Sequence, residues 1–208
     1  MFASDATISV IDFEATGAVE GYPSEPWQIG IIVFRRGHPV VEDSFTSLLH
    51  VGDRPFNPYA PGRHEEQREE MSRAPSLPEL WPQLKPWLHG RPLAAHNMGT
   101  EKKFLRQAFP LHPIGPWIDT LKLARLAHPD LSSHKLEDLL KHFGLMDQVD
   151  RMAPGLAPHD ALYDAVACAV LLETLLALPG WSEVSVTALS KVTPARYHRT
   201  RSGSGPSS

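Results

Sequence analysis

The chain has 208 residues, 42% of them hydrophobic and 21% charged, with a formal net charge of −4. That length suits one domain with a well-buried core, the mild acidity argues against a basic coat protein for nucleic acid, and no apolar run nears the ~20 residues that span a bilayer. The single cysteine, Cys168, excludes an internal disulfide, and MFASDATISV lacks the basic-then-apolar start of a secretory signal, so a cytoplasmic protein is expected.

In chain order, residues 6–12 (ATISVID) read as a buried strand. Residues 27–35 and 39–49 are β-rich and separated by Arg36-Gly37-His38, a hairpin signal. A proline- and glycine-dense loop runs from Gly52 to Gly62, and HEEQREEM reads as a short exposed helix. SLPELWPQLKPWLHG spaces its leucines for a helix, with Ser76 as N-cap, Gly90 as the stop, and Pro82 and Pro86 disturbing its middle. Residues 91–96 predict a strand, 100–109 a helix and 115–120 another short strand. Helices over 119–127, 135–143 and 160–178 follow, so strand-helix alternation predicts an α/β layer domain with a mixed sheet over residues 1–180. Residues 181–208 read as a basic C-terminal extension, with GSGPSS at its disordered end. Lys191, Arg196, Arg199 and Arg201 either sit in solvent or touch phosphates.

Acidic residues collect in three places. Asp12 and Glu14 are two apart in a strand, so they share a face. Like charges that close repel and hold each other's protons unless a cation lies between them. The commonest reading is a solvated strand end. Thr16-Gly17, a small-residue turn, favours a ligand. Asp164 falls on a mostly apolar helix, where a lone charge is costly. His159 lies five residues earlier, and at about 100° per residue the two share a site only if His159 stands in the loop before the helix. Pro158 and Asp160, a good N-cap, start the helix there. Glu101 opens a helix after the strand end His96-Asn97, where the simplest role for an acid is stabilising the helix dipole. Lys102, Lys103 and Arg106 give that helix a basic side, facing a phosphate backbone or only water.

Together these stretches resemble the three motifs of the DEDDh family of 3′-to-5′ exonucleases, the group that includes the proofreading subunit of bacterial DNA polymerase III and RNase T. The first motif, D-x-E-x-T-G, is Asp12, Glu14, Thr16 and Gly17. The third, H-x-A-x-x-D-A-x-A, is His159, Ala161, Asp164, Ala165 and Ala167. GRPLAAHN, IDTLKLAR and HKLEDLLKHFGL extend the similarity, which covers about residues 7–178. The second motif departs from the family's A-H-N-x-x-F-D, because Glu101 replaces the aspartate and Thr100 the aromatic. Gln28 stands where the family commonly carries glutamate, a structural or second-line position.

The resemblance implies a ribonuclease H-like fold, a five-stranded mixed sheet flanked by helices on both faces. It implies two Mg²⁺ or Mn²⁺ ions held by Asp12, Glu14, Glu101 and Asp164, with His159 as the general base. Phe13, the backbone at Ala15 and Thr16, and His96 and Asn97 are the expected contacts for a single-stranded DNA or RNA 3′ end. The expected products are nucleoside 5′-monophosphates. A polymerase or a homodimer partner is left open. The competing class is a catalytically impaired nucleic-acid-binding or partner-docking module, which Glu101 favours.

Overall fold

Residues Thr7–Ala15 form strand β1, flanked by β2 (Pro26–Arg35) and, beyond it, β3 (His38–Leu48). The computed structural model describes residues 1–181 and 183–192. The β2–β3 hairpin turns at Arg36 and Gly37, both at positive φ, as a tight turn matched to strand twist requires. The chain then runs through a short helix, α1 (Arg68–Arg73), and a 3₁₀ turn at Pro78–Leu80 into α2 (Trp81–Leu88). Strand β4 (Leu93–Ala95), helix α3 (Gly99–Ala108) and strand β5 (Trp117–Asp119) follow. Helices α4 (Thr120–Ala127), α5 (Leu136–Phe143), α6 (Met146–Met152), α7 (Ala161–Leu176) and α8 (Val186–Leu189) complete the described chain.

The sheet order is β3-β2-β1-β4-β5, antiparallel among the first three and parallel from β1 to β5. This is the expected five-stranded mixed sheet with helices on both faces. Alternation along β1 and β2 divides the core. Ile8, Val10, Ile32 and Phe34 face α4, α5 and the apolar helix α7. Ile11, Phe13, Ile29 and Ile31 face α2 and α3 through Leu84, Leu88, Phe104 and Leu105. Burying each such side chain contributes about 1.5–3 kcal/mol against leaving it in water. Among the described residues no helix is long and apolar enough to cross a membrane.

Several boundaries differ from expectation for physical reasons. Strand β1 continues to Ala15, because Asp12 pairs with Gly30 and Glu14 with Gln28 in the ladder. Ser76 does not cap with its own side chain; the Glu79 carboxylate accepts from its N–H at 2.8 Å and from its hydroxyl at 2.7 Å. The segment expected to be an exposed helix from His64 is helical only from Arg68, with His64 and Met71 buried. Helix α6 was not foreseen; Tyr163 donates to Asp150 at 2.8 Å and fastens it to α7. Residues 183–192, within the expected extension, pack on the domain. Ala3 N–H donates to Val184 O at 2.9 Å, and Val186 and Leu189 of α8 are buried in the α7-side core. Arg196, Arg199 and Arg201 lie outside the described residues.

Candidate active site

Asp12 and Glu14 reach the end of β1 on the α7 face of the sheet, the face that Ile8 and Val10 fill further back. Their partners across the ladder are Gly30 and Gln28. Gly30 is required by close approach: a Cβ there would stand 2.2 Å from the Ala161 carbonyl carbon. The first turn of α7 therefore rests on the backbone of β2, directly beside the β1 acids.

Asp160 caps α7, its Oδ1 accepting from Leu162 N–H at 3.0 Å and Tyr163 N–H at 3.4 Å. His159 sits just before it at φ +68°, off the helix as the spacing required. Its backbone N–H donates to Asp164 Oδ2 at 3.2 Å, closing the turn over five residues. A non-glycine residue in the left-handed region costs on the order of 1–3 kcal/mol and persists where its surroundings hold it. The result is a tight cluster. Ligand atoms of Glu14, His159 and Asp164 all lie within 4.8 Å of one another.

Glu101 comes from the first turn of α3, and it does not point into solvent. It is 5% exposed, and its Oε2 is buried without a hydrogen-bond partner. An orphaned carboxylate oxygen inside a protein is costly unless a cation or a proton meets it. The turn before α3 is held by Asp119, the N-cap of α4, whose Oδ1 accepts from Asn97 N–H and Leu121 N–H at 3.1 Å each. Asn97 itself is left-handed, φ +66°, and exposed.

The electrostatics show how crowded the site is. Burial pushes the Asp12 carboxyl well above its usual range, and Asp164, Glu101, Glu14 and Asp160 add to the push. Burial, then Asp164 and Asp160, raise Glu14 to about 8. Glu101 rises to about 7, chiefly by burial, with Asp119 adding to it. Burial likewise lifts Asp164 to about 6, against the lowering influence of the His159 backbone hydrogen bond and ring. Without a cation Asp12 and Glu14 keep protons at neutral pH, and Glu101 keeps one for about half the time. Carboxylate oxygens gathered at this density fit hard divalent cations, Mg²⁺ or Mn²⁺, and a Cys cluster for zinc is absent among the described residues.

A strap over residues 52–64 closes the site from the side. Asn57 donates its N–H to Thr16 O at 2.8 Å and its Nδ2 to Ala18 O at 3.1 Å. Gly62, at φ +97°, lies so near that a Cβ would stand 3.1 Å from His159 O and 3.7 Å from Glu14 Oε2.

Three residues expected to contact substrate are engaged within the fold. Phe13 is 6% exposed and packs edge-on against Phe104, 5.7 Å between centroids, because alternation turns it to the opposite face from Asp12 and Glu14. Thr16 spends its N–H on Glu25 O at 2.9 Å and accepts from Glu25 N–H at its hydroxyl at 3.1 Å, so it builds the turn. His96 has both ring nitrogens engaged, Nδ1 at 3.0 Å from Thr120 Oγ1 and Nε2 at 2.9 Å from His134 O, and burial lowers its proton affinity. Ala15 follows Glu14 at the end of β1, and Asn97 is exposed before α3. Asp119, Gly30 and Gly62 were missed. A buried acid directly before a helix was the available signal for Asp119, and a glycine inside the apolar run WQIGIIVF was the signal for Gly30.

Comparison with known proteins agrees with this geometry. An exonuclease family model matches residues 9–172. The chain is similar to the PolC-type DNA polymerase III of Oceanobacillus iheyensis, 32% identical over 111 residues, 51% of this chain and 7% of the relative. The PolC-type polymerase of Staphylococcus epidermidis is 24% identical over 183 residues, 80% of this chain and 11% of the relative. The chain thus spans only a small part of those polymerases. Exonuclease X, seen with 5′-overhanging duplex DNA, is 28% identical with a TM-score of 0.65, covering 89% of this chain and 98% of its own. The nuclease domain of 3′hExo, a DEDDh member bound to rAMP, shares the fold at a TM-score of 0.67 and 19% identity, covering 85% and 94%. Sheet, motifs and family match converge: this chain belongs to the DEDDh, DnaQ-like exonuclease family of the ribonuclease H-like superfamily.

Proposed function

We propose that the chain is a divalent-metal-dependent 3′-to-5′ exonuclease that removes nucleoside 5′-monophosphates from single-stranded DNA or RNA. The observation that carries this reading is the meeting of Glu14, Asp164 and His159 within 4.8 Å, beside Asp12 and an unpartnered buried carboxylate oxygen of Glu101. Asp12, Glu14, Glu101 and Asp164 would hold two Mg²⁺ or Mn²⁺ ions. Such ions, when bound, lower the proton affinity of water and neutralise charge developing on a phosphodiester.

The chain's own residues supply the rest. His159, exposed at the rim, takes the proton from the attacking water, a contribution of ~10²–10⁴ in rate. Its left-handed turn aims the ring back over Glu14 and Asp164 instead of along α7. Ala15 and Asn97 border the 3′-terminal nucleotide. The strap from Asn57 to Gly62 keeps bulk water off the acids from one side. The terminal P–O bond breaks, the water oxygen joins phosphorus, the leaving 3′-oxygen takes a proton from solvent, and His159 returns its proton to solvent.

The impaired-module alternative rested on Glu101. Glu101 is buried and its charge acts on Asp12, which supports the catalytic reading over that alternative. The relative seen with 5′-overhanging duplex DNA makes a DNA 3′ end the first substrate to try, and the polymerases among the relatives make a polymerase the first partner to try. The test is digestion of a 5′-labelled oligonucleotide with Mn²⁺, with EDTA as control. Labelled strands shortened one nucleotide at a time, with 5′-monophosphates released, are expected. Intact strands, or cuts inside the strand, would overturn the proposal.

A further inference from the structure

We propose that Gln28 is a positioning residue: its carboxamide clamps the turn bearing His159 onto strand β2 and so sets where the imidazole stands. Gln28 is 5% exposed in a strand that is otherwise apolar through its middle, and a buried amide has to be hydrogen-bonded. Both of its bonds cross the chain to the residues that follow His159. Its Nε2 donates to Asp160 Oδ2 at 3.0 Å, and its Oε1 accepts from Ala161 N–H at 3.1 Å. Only this orientation of the amide satisfies both neighbours, since a carboxylate cannot donate and an N–H cannot accept.

The clamp acts at the point of strain. His159 holds a left-handed backbone that a histidine leaves readily unless its neighbours over-determine it. One neighbour, Ala161 N–H, is an unpaired donor of the first turn of α7 that Gln28 satisfies. The other, Asp160, uses Oδ1 for its own helix and Oδ2 for Gln28. Gly30, one residue further along the same face, leaves room for this turn against the sheet. Chemistry also explains the residue type. The family commonly carries glutamate here, but in this chain Asp160 faces the position, and a carboxylate would meet it with like charge. A glutamate at 28 keeps the acceptor for Ala161 N–H and loses the donor for Asp160.

The proposal rests on the exonuclease reading for its activity arm alone. The experiment compares Gln28→Leu, Gln28→Glu and the double exchange Gln28→Glu/Asp160→Asn, which restores a donor-acceptor pair with the roles reversed. With Mn²⁺ and a labelled oligonucleotide, both single variants are expected to lose about tenfold to 10²-fold in kcat, at roughly unchanged KM, as misplaced catalytic groups do. The double exchange is expected to return kcat to within roughly threefold of the parent. A merely structural role predicts losses that follow the folded fraction, with no recovery.

The metal-free protein provides an independent arm through the His159 imidazole signals in a two-dimensional NMR spectrum, assigned with His159→Ala. Those signals should broaden or shift in the single variants and return to parental positions in the double exchange. If the parent degrades no oligonucleotide, the exonuclease reading falls while the imidazole signals still decide the clamp. Parental kcat in Gln28→Leu, or a double exchange no better than Gln28→Glu in both arms, overturns it. If Gln28→Glu does not fold, Gln28→Leu carries both readouts, and parental imidazole signals in it overturn the clamp.

Discussion

The two faces of strand β1 are made from alternate residues of one nine-residue segment and do opposite work. Ile11 and Phe13 pack into an apolar layer with Phe104 and Leu105. Asp12 and Glu14, between and beside them, face α7 and are met by Asp164 and His159. The difference teaches that rigidity and charge are supplied by the same strand. The apolar face fixes the backbone, and the other face can then hold carboxylates closer than they would choose.

If that division is right, changes on the two faces should separate activity from stability. The largest expected effect is His159→Ala, which should lower turnover by ~10²–10⁴ with Mn²⁺ affinity nearly intact. Quenched digestion assays and calorimetry measure the two. Retention of the parental rate would remove His159 as the base. On the apolar face, Phe13→Ala should cost ~3–5 kcal/mol of stability, read from urea unfolding, while the folded fraction turns over at nearly the parental rate. A large loss of kcat in folded protein would restore Phe13 as a substrate contact and break the comparison.

A pH effect follows from the charged face alone. Unfolded glutamate titrates near ~4.3, whereas folded Glu14 titrates at about 8 and Glu101 at about 7. Between those limits the metal-free folded state binds more protons than the unfolded chain, so stability is present below about pH 4 and is lost as pH rises toward 8. In EDTA, urea midpoints should fall from pH 5 to pH 8, and Asp12→Asn should flatten the fall. A rising midpoint unaffected by Asp12→Asn would contradict the crowding. The smallest effect is expected at the edge of the cluster. Glu101→Gln keeps the shape and removes one charge, and should weaken Mn²⁺ binding by about tenfold while raising metal-free stability slightly.

What could be read from the sequence follows the range of the interactions. Asp12 with Glu14, and His159 with Asp160 and Asp164, are separated by five residues or fewer, so strand alternation and helix capping were enough to group them. The same alternation puts Phe13 on the opposite face, against Phe104. Gln28, Gly30 and Asp119 act through contacts far along the chain, such as Gln28 to Asp160; a local signal can flag such a residue but does not name its distant partner. Helices α6 and α8 are too short to show a period. Tyr163 against Asp150, and Val186 and Leu189 against the α7-side core, hold them in place. His96 sits in a family motif, yet only the fold reveals that Thr120 and His134 occupy both its nitrogens.

The central claim is that crowded, proton-holding carboxyls exist here to take divalent cations. Calorimetric titration of the metal-free protein with Mn²⁺ at pH 7, repeated in two buffers of different ionisation enthalpy, tests it directly. About two ions should bind per chain, displacing at least one proton, and Asp12→Asn with Asp164→Asn should abolish both signals. Binding without proton release, or undiminished binding in that double variant, would contradict the account.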